Sequence, residues 1–278
     1  ENIPLGLEPS AFIQEIGFDK GDKIINVDGE ELENVLEINR ILLLRPVDKV
    51  KVQKLDGSIS EINIPENIGN DIFQSGQISS FAPLFSATID SVFNDSPALY
   101  AGMQSGDIIV SINGQSIYDW GDFSNWIDNN PNDLIDVEVE RGSSIYKLNI
   151  DRNDDGTIGV LRRNEIKTIN KKLDISESIV QGFNYGYWTL YEYVAGFSFV
   201  FTKKGASQLG GFGTIGNIFP AKWDWKGFWL STALISIILA FMNVLPIPAL
   251  DGGHVMFLLY EMVSGRKPSD KFMEVSTM

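Results

Sequence analysis

Apolar residues follow three patterns along this chain, and each predicts a different kind of element. Over residues 1–165, short stretches alternate apolar with polar positions, as in residues 49–55 (KVKVQKL) and 135–141 (IDVEVER). That period suits strands with one buried face. Polar-apolar segments at about 31–44 and 119–129 precede these stretches and predict helices. In the second pattern, residues 227–245 (GFWLSTALISIILAFMNVL) carry no charge at all. Such a run is about long enough to cross a hydrocarbon core of roughly 30 Å. Trp223, Trp225 and Trp229 cluster at its start, as aromatic anchors do at a membrane interface. In the third, residues 179–201 are crowded with rings, among them Phe183, Tyr187, Trp188, Tyr191, Tyr193 and Phe197, with Glu192 in their midst. Ring-rich amphipathic segments prefer the headgroup boundary, so an interfacial helix is expected here, with a membrane span as the alternative.

The alternating region contains a repeat. Gly17-Phe18-Asp19-Lys20-Gly21-Asp22 through Asp28-Gly29 matches Gly102-Met103-Gln104-Ser105-Gly106-Asp107 through Asn113-Gly114 at a constant offset of 85 residues. Each copy reads as a Gly-Asp turn, an alternating strand, and an Asp-Gly or Asn-Gly turn of the kind that closes hairpins. The pattern G-x-x-G-D-x-I-x-x-[IV]-[DN]-G resembles PDZ domains. The second copy looks complete, with Ser96-Pro97-Ala98 ahead of Ala101-Gly102. The first lacks its upstream strand and binding loop, and is expected to be either truncated or partial, and unstable alone. A PDZ domain binds an extended peptide by adding it as a strand beside a helix. In the second copy that groove is expected between a strand at 87–92 and the helix beginning near Asp119. It either holds a peptide or is occluded, leaving the domain a spacer or size filter.

Charge and composition narrow the picture. The 278 residues carry a net charge of -15 and no cysteine. The acidic balance argues against a nucleic-acid partner, whose binders need a basic face. Disulfides and thiolate metal sites are excluded. The chain begins at Glu1 without an initiator Met or N-terminal apolar segment, and is read as an internal stretch of a longer membrane protein. Arg266, Lys267 and Lys271 beyond the apolar region suggest the cytoplasmic side.

Three motifs look chemical and are set aside. Gly211 to Gly216 spells G-x-G-x-x-G, but a dinucleotide fingerprint calls for a strand before it and a helix opening at it, whereas Lys-Lys-Gly-Ala-Ser precedes and Asn-Ile-Phe-Pro follows, so a tight loop or close packing is the better reading. Asp151 to Gly156 begins like a calcium loop, yet its twelfth position is Arg162, where a bidentate acid is required. His254 is the sole histidine, so no two-histidine zinc site can come from this chain alone.

The segment Asn243-Val244-Leu245-Pro246-Ile247-Pro248-Ala249-Leu250-Asp251-Gly252-Gly253 directly follows the uncharged run. An ionisable group at membrane depth is costly and usually has a functional partner. Prolines and glycines free backbone groups that must be satisfied inside the protein or at a water-filled site. A broken helix carrying one carboxylate therefore reads as a site.

Tandem PDZ-like repeats, then Gly-Gly-Phe-Gly-x-Ile-Gly, then N-x-L-P-I-P-x-L-D-G-G-H together resemble the C-terminal part of the site-2 protease family, in its bacterial regulator of sigma-E protease group. That family consists of intramembrane zinc metalloproteases that cut a transmembrane substrate after a first protease has trimmed it. The resemblance implies a zinc cofactor with Asp251 as third ligand, two histidines of an H-E-x-x-H helix being the others. It places Asn243 near the substrate, and gives Pro246, Pro248, Leu250, Gly252 and Gly253 supporting roles in the motif. No H-E-x-x-H occurs here, so these 278 residues are expected not to cleave peptides by themselves. The expected fold class is a multidomain membrane protein, two PDZ-like α+β domains followed by an α-helical membrane region. The boundaries are 1–66 (partial PDZ-like), 74–165 (PDZ-like), 176–205 (interfacial helix), 206–265 (membrane segment with the motif) and 266–278 (cytoplasmic tail). The implied partners are a transmembrane protein substrate, a peptide C-terminus at the PDZ groove, and membrane lipid. The implied location is a bacterial inner membrane, multi-pass, with the PDZ-like domains periplasmic. The alternative is a membrane-anchored PDZ scaffold without catalysis.

Overall fold

The computed structural model describes residues 3–130, 134–166, 172–200, 202, 222–247, 250–267 and 269. Gly211 to Gly216, Pro248 and Lys271 lie outside them. The chain divides into two units, Glu1–Asn170 and Lys171–Met278.

The first unit holds both repeats as two lobes. In the first lobe, β1 (Leu7–Pro9), α1 (Ala11–Gln14) and β2 (Lys23–Val27) lead through a 3-10 turn (Val35–Glu37) to α2 (Ile38–Leu44). Then come β3 (Lys49–Gln53), β4 (Ile59–Asn63), α3 (Ile68–Ser75) and β5 (Phe81–Pro83). The second lobe runs β6 (Ile89–Val92), α4 (Pro97–Tyr100), β7 (Ile108–Ile112), β8 (Gln115–Ser116), α5 (Trp120–Asn129), β9 (Leu134–Arg141), β10 (Ser144–Asp151) and β11 (Val160–Arg162). One antiparallel sheet in the first lobe is ordered β2-β3-β4, and one in the second β10-β9-β7-β8. Each lobe adds a two-stranded ribbon, β1-β5 and β11-β6. In each ribbon a strand following the lobe's main sheet returns to pair with the strand that preceded it.

The first lobe therefore has the upstream strand that the sequence reading denied it. Leu7–Pro9 pairs in register with Phe81–Pro83, so residues 81–83, grouped by sequence with the second copy, complete the first. A three-residue strand shows no periodicity, and its partner lies more than seventy residues further on. The lobe has its own core, in which Leu7, Ile13, Phe18, Ile38, Leu42, Val50 and Ile72 pack together. A separate core around Ile89, Met103, Ile109, Trp126, Ile135, Val137 and Ile150 fills the second.

Both hairpin turns form as their sequences require. Asp28 and Asn113 take φ of 50° and 49°, and Gly29 and Gly114 follow with positive φ. The turn side chains then staple the next strand. Asp28 Oδ1 accepts from the Lys49 N–H at 2.8 Å, and Asn113 Oδ1 accepts from the Asp136 N–H at 2.7 Å.

The Gly-Asp motif also explains itself. Asp107 is fully buried, accepts from the Gln104 N–H, and receives Arg141 in a two-pronged pair at 2.7 and 2.8 Å. Asp22 repeats this with the Asp19 N–H and Lys54 at 2.9 Å. A buried carboxylate is tolerated because each has both a backbone donor and a cation.

Lys20 of the first lobe joins the two. Its Nζ stands 2.9 Å from Asp122 Oδ1 and 2.6 Å from Asp119 Oδ2, the latter off the line of a good hydrogen bond and so an ion pair. Asp119 is fully buried and is the N-cap of α5, accepting from the Asp122 N–H. Burial alone would lower the Lys20 pKa, but Asp119 and Asp122 overcome it and raise it well above the usual lysine value. Burial alone would raise the Asp122 pKa, but Lys20 and the Tyr118 N–H overcome it and hold it below the usual carboxylate value.

In the second unit, α6 (Ile175–Val200) spans 26 residues and α7 (Trp225–Val244) 20. Then comes α8 (Asp251–Ser264). Asp224 caps α7, accepting from the Lys226 and Gly227 N–H groups. The rings of Tyr193 and Phe197 on α6 meet Phe241 of α7 edge-on at 5.4 and 5.6 Å. Among the described residues, α7 alone is long and apolar enough to cross a membrane, with a mean hydropathy of 1.8.

Two outcomes follow. Asp107→Asn leaves Arg141 without its counter-charge and should lower the unfolding free energy by about 2–3 kcal/mol in urea titrations, less than the roughly 3–5 kcal/mol of a fully buried broken pair because Arg141 is partly exposed. An unchanged midpoint would show the pair to be unimportant. The depressed Asp122 contributes stability above its unfolded pKa of about 4, lost as pH falls through its folded value. Lys20 loses its contribution only in strong base. Acidification below about pH 4 should therefore loosen the joint between the lobes. Hydrogen exchange at the first turn of α5 should accelerate there, and Lys20→Met should show the same acceleration at neutral pH. Exchange in that turn that stays slow through the acid range would rule this out.

Candidate functional site

The Asn243 to Gly253 motif lies where α7 ends and α8 begins. Pro follows Leu245, and the residue before a proline is driven out of the helical region. Leu245 accordingly sits extended, with ψ of 142°. The freed backbone is taken up locally: the Ile247 N–H donates to Leu245 O at 2.7 Å and the Leu250 N–H to Ile247 O at 2.9 Å. α8 then starts at Asp251, with Leu250 as its N-cap residue. A carboxylate in a first helical turn is favoured by the positive end of the helix dipole.

Gly252 is what lets α8 return against α7. A Cβ there would come within 2.2 Å of Leu245 O and 2.6 Å of Val244 O, both backbone atoms that cannot swing aside. Gly252 and Gly253 are buried, while the Asp251 side chain faces out.

The result is a cavity of about 340 Å³ lined by Asn243, Val244, Pro246, Asp251, Gly252, Val255 and Met256. Asn243 and Asp251, singled out for chemistry, thus share one cavity. Leu250, Gly253 and His254 are not in its lining, and His254 packs its ring edge-on against Phe257 at 6.2 Å. Val255 and Met256 were missed, although they lie four residues after Asp251 and Gly252, the spacing of one helical face. Among the described residues, no cluster of three or more His, Asp or Glu could hold a metal ion. A catalytic zinc takes three protein ligands. Asp251 suits the part of one ligand, a carboxylate open to a cavity, and the described residues do not amount to a metal centre.

A second concavity, about 560 Å³, lies in the second lobe. Trp120, Phe123 and Ile127 of α5 form one wall, and Thr157 to Val160, leading into β11, form the other. Asn94, Asp95, Asn153 and Asp155 line it too. The strand alongside this groove is β11, whereas the sequence reading put the strand at 87–92 there. β6 is instead the inner partner of β11. The error has a simple cause, since the three-residue β11 is too short to show a period. The Trp120, Phe123, Ile127 spacing was a legible signal for the helical wall.

A family model described as peptidase family M50 matches residues 40–278. The chain belongs to peptidase family M50. Its similarity to individual proteins agrees. The zinc metalloprotease RasP of Oceanobacillus iheyensis is 26% identical over 90% of this chain and 60% of its own length. The regulator of sigma E protease of Haemophilus influenzae is 26% identical over 97% of this chain and 65% of its own. The protease RseP of Photorhabdus luminescens is 28% identical over 68% of this chain and 90% of its own. The chain thus spans less than two thirds of the length of the RasP and Haemophilus relatives. Among solved structures, the PDZ domain of an SdrC-like protein from Listeria innocua matches 29% of this chain at 27% identity, with a TM-score of 0.25. Membership of the M50 family makes this chain a relative of proteins named zinc metalloproteases.

The close approach of α8 to α7 is testable. Gly252→Ala should cost about 1–3 kcal/mol, the usual range for forcing a methyl into a packed site. Thermal melts in detergent should show the loss, and Gly182→Ala, where an added Cβ meets nothing within 4 Å, should show none. Equal melts for the two variants would show that the helices do not meet at Gly252.

Proposed function

We propose that this chain is the C-terminal part of an intramembrane zinc metalloprotease that cleaves transmembrane substrates in regulated intramembrane proteolysis. Asp251 would be a zinc ligand, and the second PDZ-like lobe would bind or filter the substrate's extramembrane segment. The observation that carries the reading is the shared cavity of Asn243 and Asp251 at the break between α7 and α8. The M50 family match supports it.

Zinc, when bound, lowers the pKa of its water and polarises the scissile carbonyl. The chain's own residues do the rest. Asp251 stands in the first turn of α8 and lines the cavity, where its carboxylate would meet the metal. Asn243 lies at the cavity through the last turn of α7, and its amide is suited to donate to a substrate carbonyl that gains negative charge. Pro246 fixes the extended exit from α7, and Gly252 lets the α8 backbone sit close beneath the cavity. Lipid would surround α7. The location we propose is a bacterial inner membrane, with the PDZ-like lobes on the periplasmic side and residues 266–278 in the cytoplasm. The remaining zinc ligands would come from a part of the protein beyond these residues.

In the full-length protein, Asp251→Asn should reduce cleavage of a transmembrane substrate by more than about 100-fold, beyond what outer-shell changes cost, and should lower bound zinc in parallel. Asn243→Ala should reduce cleavage by about 100-fold while zinc content holds, the signature of a lost hydrogen-bond donor. Wild-type zinc and cleavage in Asp251→Asn would remove Asp251 from the ligand set. A full-length protein that binds peptide but never cleaves would favour the scaffold.

A further inference from the structure

The two lobes share one plan and differ at the strand edge beside the helix. In the first lobe, the Ser10 N–H donates to Ser80 O at 2.7 Å, and Phe81 stands opposite Pro9. In the second, the Phe93 N–H donates to Gly159 O at 2.9 Å, and Val160 stands opposite Val92. In this antiparallel register Phe81 and Val160 are equivalent, and each turns its own N–H and C=O away from the partner strand.

In the first lobe both groups are already taken. The Phe81 N–H donates to Asn39 Oδ1 at 2.7 Å, and Asn39 Nδ2 donates to Phe81 O at 3.0 Å. A carboxamide offers the same donor and acceptor pair as a peptide unit. Asn39 therefore stands in for one residue of an added strand. α3 packs on α2 beside it, so closely that a Cβ on Gly69 would lie 2.3 Å from Leu43 O.

In the second lobe the edge is open. The helices align through their last bonds, the Arg45 N–H to Ile41 O and the Asn130 N–H to Trp126 O. Ser124 thus occupies the Asn39 position. Its hydroxyl is too short to bridge both groups, and among the described residues nothing is hydrogen-bonded to the outer groups of Val160. No helix like α3 intervenes, since β10 turns directly through Asn153 to Gly156 into β11. The groove of Trp120, Phe123 and Ile127 runs alongside.

The mouth of that groove is acidic. Asp155 Oδ1 accepts from the Thr157 N–H at 2.9 Å and from its hydroxyl at 2.8 Å, where the chain enters β11. Those bonds hold its carboxyl below the usual range. Asp95 accepts from the Tyr100 hydroxyl at 3.3 Å. Arg152 nearby donates to the carbonyls of Ile127, Asn130 and Gly156, and no Lys or Arg is in the lining. An anion is thus already seated where a peptide's terminal carboxylate would approach.

We infer that the outer edge of β11 takes an internal, extended peptide segment as an added strand, with an aromatic or branched apolar side chain in the groove and a Lys or Arg at the Asp95–Asp155 mouth, and that the first lobe takes none. The inference rests on the second lobe's proposed role as a binder of the substrate's extramembrane segment, and gives that segment its chemistry.

Binding is read on the whole chain in detergent, without proteolysis, so failure here leaves the Asp251 test untouched. The probe is an N-terminally fluorescent, C-amidated peptide of about ten residues, alternating Thr and Val with one central Phe followed by Lys-Arg. One twin carries a free C-terminus, and another carries Glu-Glu for Lys-Arg. Anisotropy should show the amidated probe bound, the free acid bound no more tightly, and the Glu-Glu twin about tenfold weaker. Ser124→Asn should install in the second lobe the strap that Asn39 makes in the first, and weaken binding about tenfold, the value of roughly one ladder hydrogen bond. Val160→Pro, which removes the outer N–H, should do likewise, with melts confirming that both variants fold. Asp155→Asn should reduce the preference for Lys-Arg over Glu-Glu. Tighter binding of the free acid, equal affinity for Lys-Arg and Glu-Glu, no response to Ser124→Asn, or no binding of the probe would each overturn the inference. Loss of binding in Asn39→Ala would move the site to the first lobe and overturn it as well.

Discussion

A backbone N–H or C=O left without a partner away from water is expensive, and this constraint organises the whole chain. It closes each lobe, because β1 and β6 are short strands that need β5 and β11 to come back and pair with them. It explains the Asn39 side chain, which meets both outward groups of Phe81. It also governs the break after α7, where Pro246 ends the helix and short backbone bonds among Leu245, Ile247 and Leu250 absorb the freed groups before α8 begins.

Buried charge follows a parallel logic. Asp22 and Asp107 sit in the two cores' margins with a backbone donor and a cation each, so the repeated Gly-Asp turn is both a bend and an anchor for the hairpin that supplies Lys54 or Arg141. Lys20 has no counterpart of this kind in the second copy, where Ser105 holds its place, and it reaches instead to Asp119 and Asp122 at the start of α5. One divergence within the repeat thus fixes the second lobe's groove helix against the first lobe. Another, Asn39 against Ser124, closes one strand edge and leaves the other open.

At the junction of α7 and α8 the same economy of parts brings two polar groups together. A proline stops one helix, a glycine brings the next one close, and the carboxylate at the new helix's first turn meets an amide from the old helix's last turn across one cavity. The match to peptidase family M50 includes this junction.

The sequence by itself determined the repeat, the hairpin turns, the helix preceding each central strand, the uncharged helix and the Asn243–Asp251 motif. Each of these is written in local periodicity, in turn residues that need positive φ, or in charge placement within a few neighbours. The tertiary structure alone decided the pairing of β1 with β5 and of β11 with β6. Three-residue strands carry no period, and their partners lie some seventy residues away in the chain. It also decided which lobe has an open edge, because nothing local to Asn39 shows that its amide meets Phe81, 42 residues on. The cavity was half legible: Asn243 and Asp251 stood out as polar groups beside an apolar run, while Val255 and Met256 joined them only because a helical turn of α8 carries residues four apart onto the face that closes against α7.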